Sequence, residues 1–383
     1  MKKHKKNKLR KRLKALKQAP YKSLLAAALA IPAVSLSLPV YAQNKAEETS
    51  IKFYYADYRD YDKADNRMRI KAPMAWIRSP LTESLDVESS FVLDSMTGAS
   101  PFYHNTLTGA SGLGIRDTRR AGDLKFTAYR ENFSVGVGGA FSNENDYESA
   151  AGILETSTWS EDKNTVFSFG FSGSSDDLTS TLQPSLDESR TTYNFIIGVT
   201  QVLDIYSIIQ ANVSYTTGKG FFTDPYKTLD NRPRSREQWA FLTRYNRYIE
   251  TLDAALHSDY RFYTDDWGLN SHMLELAFYQ PLAERFMLRP NIRYYSQNAA
   301  DFFVNEFPPE DLDGFITGDQ RMSAFGSYTA GIKLIADLGS GFSTDFMYSY
   351  IEQRPQWKLG SSGSGVIEPF HARIWALSLN KTF

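Results

Sequence analysis

Cysteine is absent from all 383 residues, so neither a disulfide nor a thiolate ligand can hold this chain together. Burial and hydrogen bonding must do so alone, which suits passage through an oxidising compartment. Beyond residue 42 no apolar stretch reaches the ~18 residues that a membrane helix needs, which excludes a helical membrane protein. Histidine is sparse: past that point there are His104, His257, His272 and His371, with no H-E-x-x-H and no paired spacing, so no metal site of the zinc type is expected. Gly360-Ser361-Ser362-Gly363-Ser364 breaks the G-x-S-x-G pattern, and Gly218-Lys219-Gly220 lacks the upstream glycine of a phosphate loop. No catalytic residue and no cofactor is expected. Asp265 and Asp266 have the oxygen-rich character of a surface calcium loop, although adjacent acids more often mark a solvated hairpin turn.

What the chain does have begins with a basic N-terminus. Residues 1–22 hold eleven Lys and Arg and no acid, an apolar run follows from Leu24 to Val40, and Val40-Tyr41-Ala42 ends it. This pattern predicts a signal peptide over residues 1–42, cleaved after Ala42. An N-terminal membrane anchor is the alternative, opposed by the shortness of the run and by Pro32 and Pro39. Of the 43 Lys plus Arg, eleven leave with that segment, so the remaining 32 stand against 44 Asp plus Glu, a net charge near −12. Nucleic acid needs a concentrated basic face, so it is excluded as a partner.

Aromatic residues make up 14%, including 23 Tyr and 25 Phe, yet the mean hydropathy is negative. A closed barrel reconciles the two, because it needs apolar side chains on one residue in two, with aromatic rings at both interfaces. Periodicity agrees. Phe133, Val135, Val137, Gly139 and Phe141 share one face; so do Phe167, Phe169 and Phe171, then Leu256, Ser258, Tyr260 and Phe262, then Phe342, Thr344, Phe346, Tyr348 and Tyr350. The same reading puts Met68, Ile70, Ala72, Met74 and Trp76 on an apolar face. Strands are expected near 50–57, 67–76, 84–93, 122–130, 132–142, 147–158, 164–173, 190–201, 204–216, 236–248, 252–263, 270–280, 285–297, 322–336, 341–353 and 369–383. Between them, longer connections alternate with very short ones, the parity of extracellular loops and periplasmic turns. The fold class is therefore all-β, a transmembrane antiparallel β-barrel of about 16 strands over residues 43–383.

The faces opposite the apolar ones carry charge. They assign to the lumen Arg69, Lys71, Asp86, Glu88, Asp123, Lys125, Arg244, Asp259, Arg261, Glu275, Arg289, Arg293, Lys333, Asp345 and Arg373, since Arg or Lys facing lipid at the midplane costs roughly 2 to 4 kcal/mol. Either these charges satisfy one another across strands, as Arg69 and Lys71 could beside Asp86 and Glu88, or their basic excess favours anions. The longest connection, Asp94 to Ala121, is rich in small residues and carries Asp94, His104, Arg116, Asp117, Arg119 and Arg120. A loop of that length tends to be functional, and this one is expected either to fold into the barrel and narrow it or to remain on the surface.

The last segment alternates up to Phe383 and looks like the C-terminal strand of Gram-negative outer-membrane barrels, departing from their pattern at Lys381. That likeness implies recognition of Phe383 by the barrel-assembly machinery, with outer-membrane lipid as surroundings. Four further stretches carry a closer resemblance: Asp94-Ser95-Met96-Thr97-Gly98-Ala99-Ser100-Pro101; Thr223-Asp224-Pro225-Tyr226-Lys227 with Arg232-Pro233; Asp259 to Gly268, ending Asp265-Asp266-Trp267-Gly268; and Leu288 to Phe302, ending Asn298-Ala299-Ala300-Asp301-Phe302. In these the chain resembles a family of uncharacterised Gram-negative proteins of about 400 residues, assigned as outer-membrane barrels and known only as a domain of unknown function. The resemblance implies the barrel and lends no activity. It also implies a setting beside small lipoproteins, thioredoxin-like proteins and a flavin transferase, hence a lipoprotein or periplasmic redox protein as partner.

Two functions follow from a barrel of this size. One is a porin-like channel for small hydrophilic solutes, since such an interior admits water. The other is a non-conducting barrel that serves a periplasmic redox or export assembly. An outer-membrane phospholipase using His257 or His272 is the enzyme reading, and it comes third.

Overall fold

The computed structural model describes residues 45–62, 65–98, 115–227, 230–305, 314–365 and 369–383; the expected signal peptide and its cleavage point lie outside them. Eighteen strands run along the described chain: β1 (Ser50–Asp62), β2 (Asp65–Thr82), β3 (Leu85–Gly98), β4 (Ile115–Tyr129), β5 (Phe133–Asn143), β6 (Tyr147–Trp159), β7 (Thr165–Leu178), β8 (Glu188–Asp204), β9 (Ser207–Gly220), β10 (Asp230–Asn231), β11 (Ser235–Ile249), β12 (Ala254–Asp265), β13 (Asn270–Ala283), β14 (Phe286–Gln297), β15 (Ile316–Thr317), β16 (Phe325–Gly339), β17 (Phe342–Arg354) and β18 (Phe370–Thr382). All but the two-residue strands β10 and β15 form one closed antiparallel barrel in chain order, shut by β1 against β18 from Ser50↔Thr382 to Tyr61↔His371. Closure leaves no unpaired edge. Each of the sixteen expected strands is present.

The short turns share one rim: 83–84, 130–132, 160–164, 205–206, 250–253, 284–285 and 340–341. The opposite rim carries the connections 221–234, 298–324 and 355–369. There β10 and β15 pair with each other, through Asp230↔Thr317 and Asn231↔Ile316.

Cross-strand partners lie on the same face of a sheet, so the registers and the burial together fix inside and outside. Phe53, Phe167 and Ile197 are 60%, 57% and 58% exposed and belong to the outer face. So do the ring contacts Tyr215–Trp239 at 4.7 Å and Tyr294–Tyr328 at 4.9 Å.

In β2 the observed phase is the reverse of the expected one. Met68, Ile70, Ala72 and Met74 point inward and are buried, the last three with Tyr54, Ala56, Tyr58, Phe370, Ala372, Ile374 and Ala376 in an apolar cluster on the inner wall around the closing seam. Arg69 and Lys71 consequently lie on the outer face, opposite Arg59 and Asp57, and Arg373 lies there too, opposite Arg59. The cause is local: small alanines flanked by Tyr54 and Tyr58 let the inner wall pack apolar side chains in this sector, so the alternation carries apolar residues on the inside.

Candidate functional site

The remaining charges assigned to the lumen do lie on the inner wall, where most are paired. Arg78 meets Asp86 at 2.9 Å, and Lys125 meets Glu155 at 3.1 Å and Glu88 at 3.5 Å. Arg244 reaches Asp259 at 2.9 Å. Glu275 is shared by Arg293 at 2.9 Å and Arg289 at 3.4 Å, and Asp345 by Lys333 at 3.0 Å and Lys52 at 3.5 Å. Asp123 accepts from the hydroxyl of Ser90. Asp86, Asp259, Glu275 and Asp345 are all buried, whereas Arg261 is exposed and the Arg293 side chain is 43% exposed. Lys52, Arg78, Glu155, Asp176 and Arg190 belong to the same ladder, the last two 2.8 Å apart. None of these five is among the charges expected inside from the sequence, although Lys52 and Arg78 flank the outward Phe53 and Ile77 and alternation marks both.

The residues assigned to a constriction loop are mostly in strands. β3 and β4 extend until Gly98 pairs with Ile115, so Asp94, Arg116, Asp117, Arg119 and Arg120 stand in the barrel wall. Arg119 donates to Asp94 from Nε at 2.8 Å on the inner side, while Arg120 is opposite Leu93 on the outer face. His104 lies outside the described residues, as does the rest of the connection from 99 to 114. The two histidines of the phospholipase reading are on opposite faces: His257 is buried inside against Tyr279, with centroids 4.4 Å apart, and Nδ1 of His272 is 2.8 Å from the Tyr260 hydroxyl on the outer face.

The second feature is on the long-loop rim, where three of the four family-like stretches meet in space. Trp267 is buried between Phe222 and Phe302, edge to face at 5.4 and 5.3 Å, beneath the guanidinium of Arg236 at 4.2 Å, and its Nε1 donates to the Ser235 carbonyl at 2.9 Å. Leu269, Ala300 and Met322 complete this small core. Asp265 accepts from Arg236, from the Tyr263 hydroxyl and from the amides of Trp267 and Leu269. A guanidinium thus stands where the calcium reading would have put a cation.

Beside this core lies a charge cluster. Asp319, fully buried, accepts from Arg232 at 2.7 Å and from Arg321, and Arg321 also reaches Asp224 at 2.9 Å. Burial opposes ionisation of Asp319, but Arg321 and Arg232 overcome it and hold its carboxyl far below the usual range. Burial pushes Asp230 up. Lys227 lies among these groups with its Nζ buried and given no hydrogen bond among the described residues, and burial lowers it to about 8. Tyr226 ties in two more loops, donating to Asp146 at 2.5 Å and accepting from the Thr181 amide at 3.1 Å. The arrangement is a built cap on the rim, held by one aromatic core and one ion cluster.

Among solved structures the fold is similar to a bacterial polysaccharide outer membrane secretin, at 7% identity over 88% of this chain and 98% of that one, with a TM-score of 0.54. The siderophore receptor PirA from Pseudomonas aeruginosa aligns at 9% identity over 89% and 81%, TM-score 0.46. CdiB from Acinetobacter baumannii aligns at 9% over 87% and 60%, TM-score 0.49. At such identities the likeness concerns the barrel alone. A comparison with curated protein sequences finds no match. One family model does match, across residues 106–371 and therefore over more than half of the chain, in a span that contains both the cap and most of the barrel wall. The chain accordingly belongs to the family described as Protein of unknown function (DUF3570).

Proposed function

We propose that the protein is an outer-membrane channel through which small hydrophilic solutes diffuse, with a preference for anions. The observation that carries this reading is the asymmetry of the inner wall: Asp86, Asp259, Glu275 and Asp345 are buried in ion pairs, while Arg261 is exposed and Arg293, although paired with Glu275, keeps 43% of its side chain open to the interior. A sixteen-stranded barrel has room for water, and cations facing that water raise the local concentration of anions. The reading involves no chemical step, no catalytic residue and no cofactor. It includes export by a cleaved signal peptide, and handling of Phe383 by the barrel-assembly machinery; that residue is 65% exposed beyond the end of β18.

Single-channel recording in planar bilayers tests it. Conductance with an anion-directed reversal potential under a salt gradient is the expected result. A folded, inserted barrel that passes no current removes the channel.

One observation favours the second reading, a structural partner of a periplasmic redox or export assembly with a small lipoprotein. The inner wall around the seam is packed with apolar rather than charged side chains, which a water-filled pore does not require. Site-directed cross-linking from the short-turn rim in intact cells is the test for it.

A further inference from the structure

Three arginines stand in a row on the outer face of the wall. Arg373, Arg59 and Arg69 are direct cross-strand partners on β18, β1 and β2, and in the next row Trp375, Asp57 and Lys71 are partners in the same way. Like charges directly opposite one another are destabilising unless something compensates them. For Arg59 and Arg69 the compensation among the described residues comes from one carboxylate of the next row. Asp57 is 0% exposed and accepts from Arg59 Nε at 2.8 Å through Oδ1, and from Arg69 Nε at 3.0 Å and Nη2 at 2.5 Å through Oδ2. Both guanidiniums remain partly open, with their side chains 42% and 39% exposed. Arg373 lies over the Tyr61 ring at 5.2 Å, and Lys71 is exposed. The neighbouring outer carboxylate, Glu352, is taken by Arg354 and lies 3.9 Å from Nδ1 of His371.

Height along the strands gives this patch its meaning. Moving toward the long-loop rim, the outer face of β1 runs Ile51, Phe53, Tyr55 and then Asp57 and Arg59. On β18 it runs Leu379, Leu377, Trp375 and then Arg373, and on β2 Ile77, Ala75, Pro73 and then Lys71 and Arg69. The cations therefore begin where the apolar band ends. Basic residues on the lipid face are far less costly there than at the midplane, and arginine is suited to bidentate contact with phosphate.

We propose that this face is a binding site for a lipid whose phosphate-bearing headgroup carries net negative charge, the row Arg373–Arg59–Arg69 with Lys71 gripping the phosphates while the acyl chains lie along Phe53, Tyr55 and Leu377. The inference rests on the membrane reading above. The probe is lipid A carrying two phosphates, compared with the form carrying one and with phosphatidylcholine, whose headgroup has no net charge, each added to the purified barrel in mild detergent and followed by native mass spectrometry. The two-phosphate lipid should be retained about tenfold more strongly than phosphatidylcholine, with the one-phosphate form between them, and millimolar inorganic phosphate should not displace it. The combined variant Arg59→Gln/Arg69→Gln/Arg373→Gln should lose that preference. Equal retention of all three lipids, displacement by free phosphate, or an unchanged preference in a folded variant overturns the site. If the variant does not fold, the dependence of the unmodified protein on phosphate number decides alone. A protein that cannot be inserted into lipid vesicles overturns the membrane reading and this site with it; one that inserts and binds all lipids alike overturns the site only.

Discussion

Arg232 donates to Oδ2 of Asp319 at 2.7 Å across 87 residues of chain, joining the loop after β9 to the loop before β16. Asp319 is also the acceptor for Arg321, so removing its carboxylate leaves two guanidiniums without their shared partner. Breaking a buried pair from one side costs about 3 to 5 kcal/mol, and Asp319→Ala should open the cap while leaving the barrel closed. Limited proteolysis should then cut within 298–324 many times faster, with heat-modifiable migration in mild SDS unchanged. Uncut loops would show that the cluster does not hold the cap.

The pH dependence has a definite sign. A carboxyl whose folded value is depressed contributes stability that is fully present above the ordinary value of about 4 and is lost as pH falls toward the folded one. With Asp319 held so low, its contribution to the cap should survive neutral and mildly acidic conditions and decline only below about pH 4. Proteolysis by an acid-active protease, scanned downward in pH, measures the onset.

Lys227 acts in the opposite sense at neutral pH. Its value of about 8 is depressed from 10.5 chiefly by burial, so the folded cap favours the neutral amine and gains stability as pH rises from about 8 toward 10.5. Lys227→Met should make the cap more resistant to cleavage at pH 7 and abolish the gain at alkaline pH. A less resistant variant would mean that attraction to Asp319 and Asp224 outweighs burial.

Gly268 has φ +82°, and a Cβ there would lie 2.2 Å from Asp301 Oδ1. Gly268→Ala should therefore be strained both by backbone conformation and by contact, displacing Trp267 from Phe222 and Phe302. The cost is expected in the range of about 1 to 3 kcal/mol, read as faster proteolysis of the loops.

On the inner wall, Arg261→Glu combined with Arg293→Glu should shift the reversal potential toward cations with conductance retained. A cysteine at Arg261 should react with a small polar thiol reagent, and one at Phe167 or Ile197 should be shielded by lipid. The reverse pattern would mean that the faces are exchanged, since a one-residue slip turns every side chain over.

How much of this was legible in the sequence differs by feature. The strands were, because a period of two repeated around the whole barrel is a local signal, and Arg289, Arg293, Asp259 and Glu275 could be placed inside by their outward neighbours Pro290, Ile292, Tyr260 and Leu274. β2 misled because apolarity marks the lipid side only where the interior is polar, and around Tyr54 and Ala72 it is not. Asp94 and Arg119 looked like loop residues because strands that continue past the apolar band lose their apolar half, which is the part that announces a strand. The cap was visible only as disconnected motifs. That Asp224, Arg232, Trp267, Asp301 and Asp319 meet depends on pairings between distant loops, to which local pattern is blind.

The closing ladder joins the first strand to the last, Ser50 to Thr382, so it cannot form until the whole barrel sequence has been made. Until then β1 and β18 present two bare hydrogen-bonding edges, and the floor of Ala56, Ala72, Ala372 and Ala376 stays wet. Shutting the barrel removes both liabilities in a single event. The final assembly step therefore carries an apolar driving force that the charge-lined ladders lack, and a breach would be resisted most at the one junction that chain connectivity does nothing to hold.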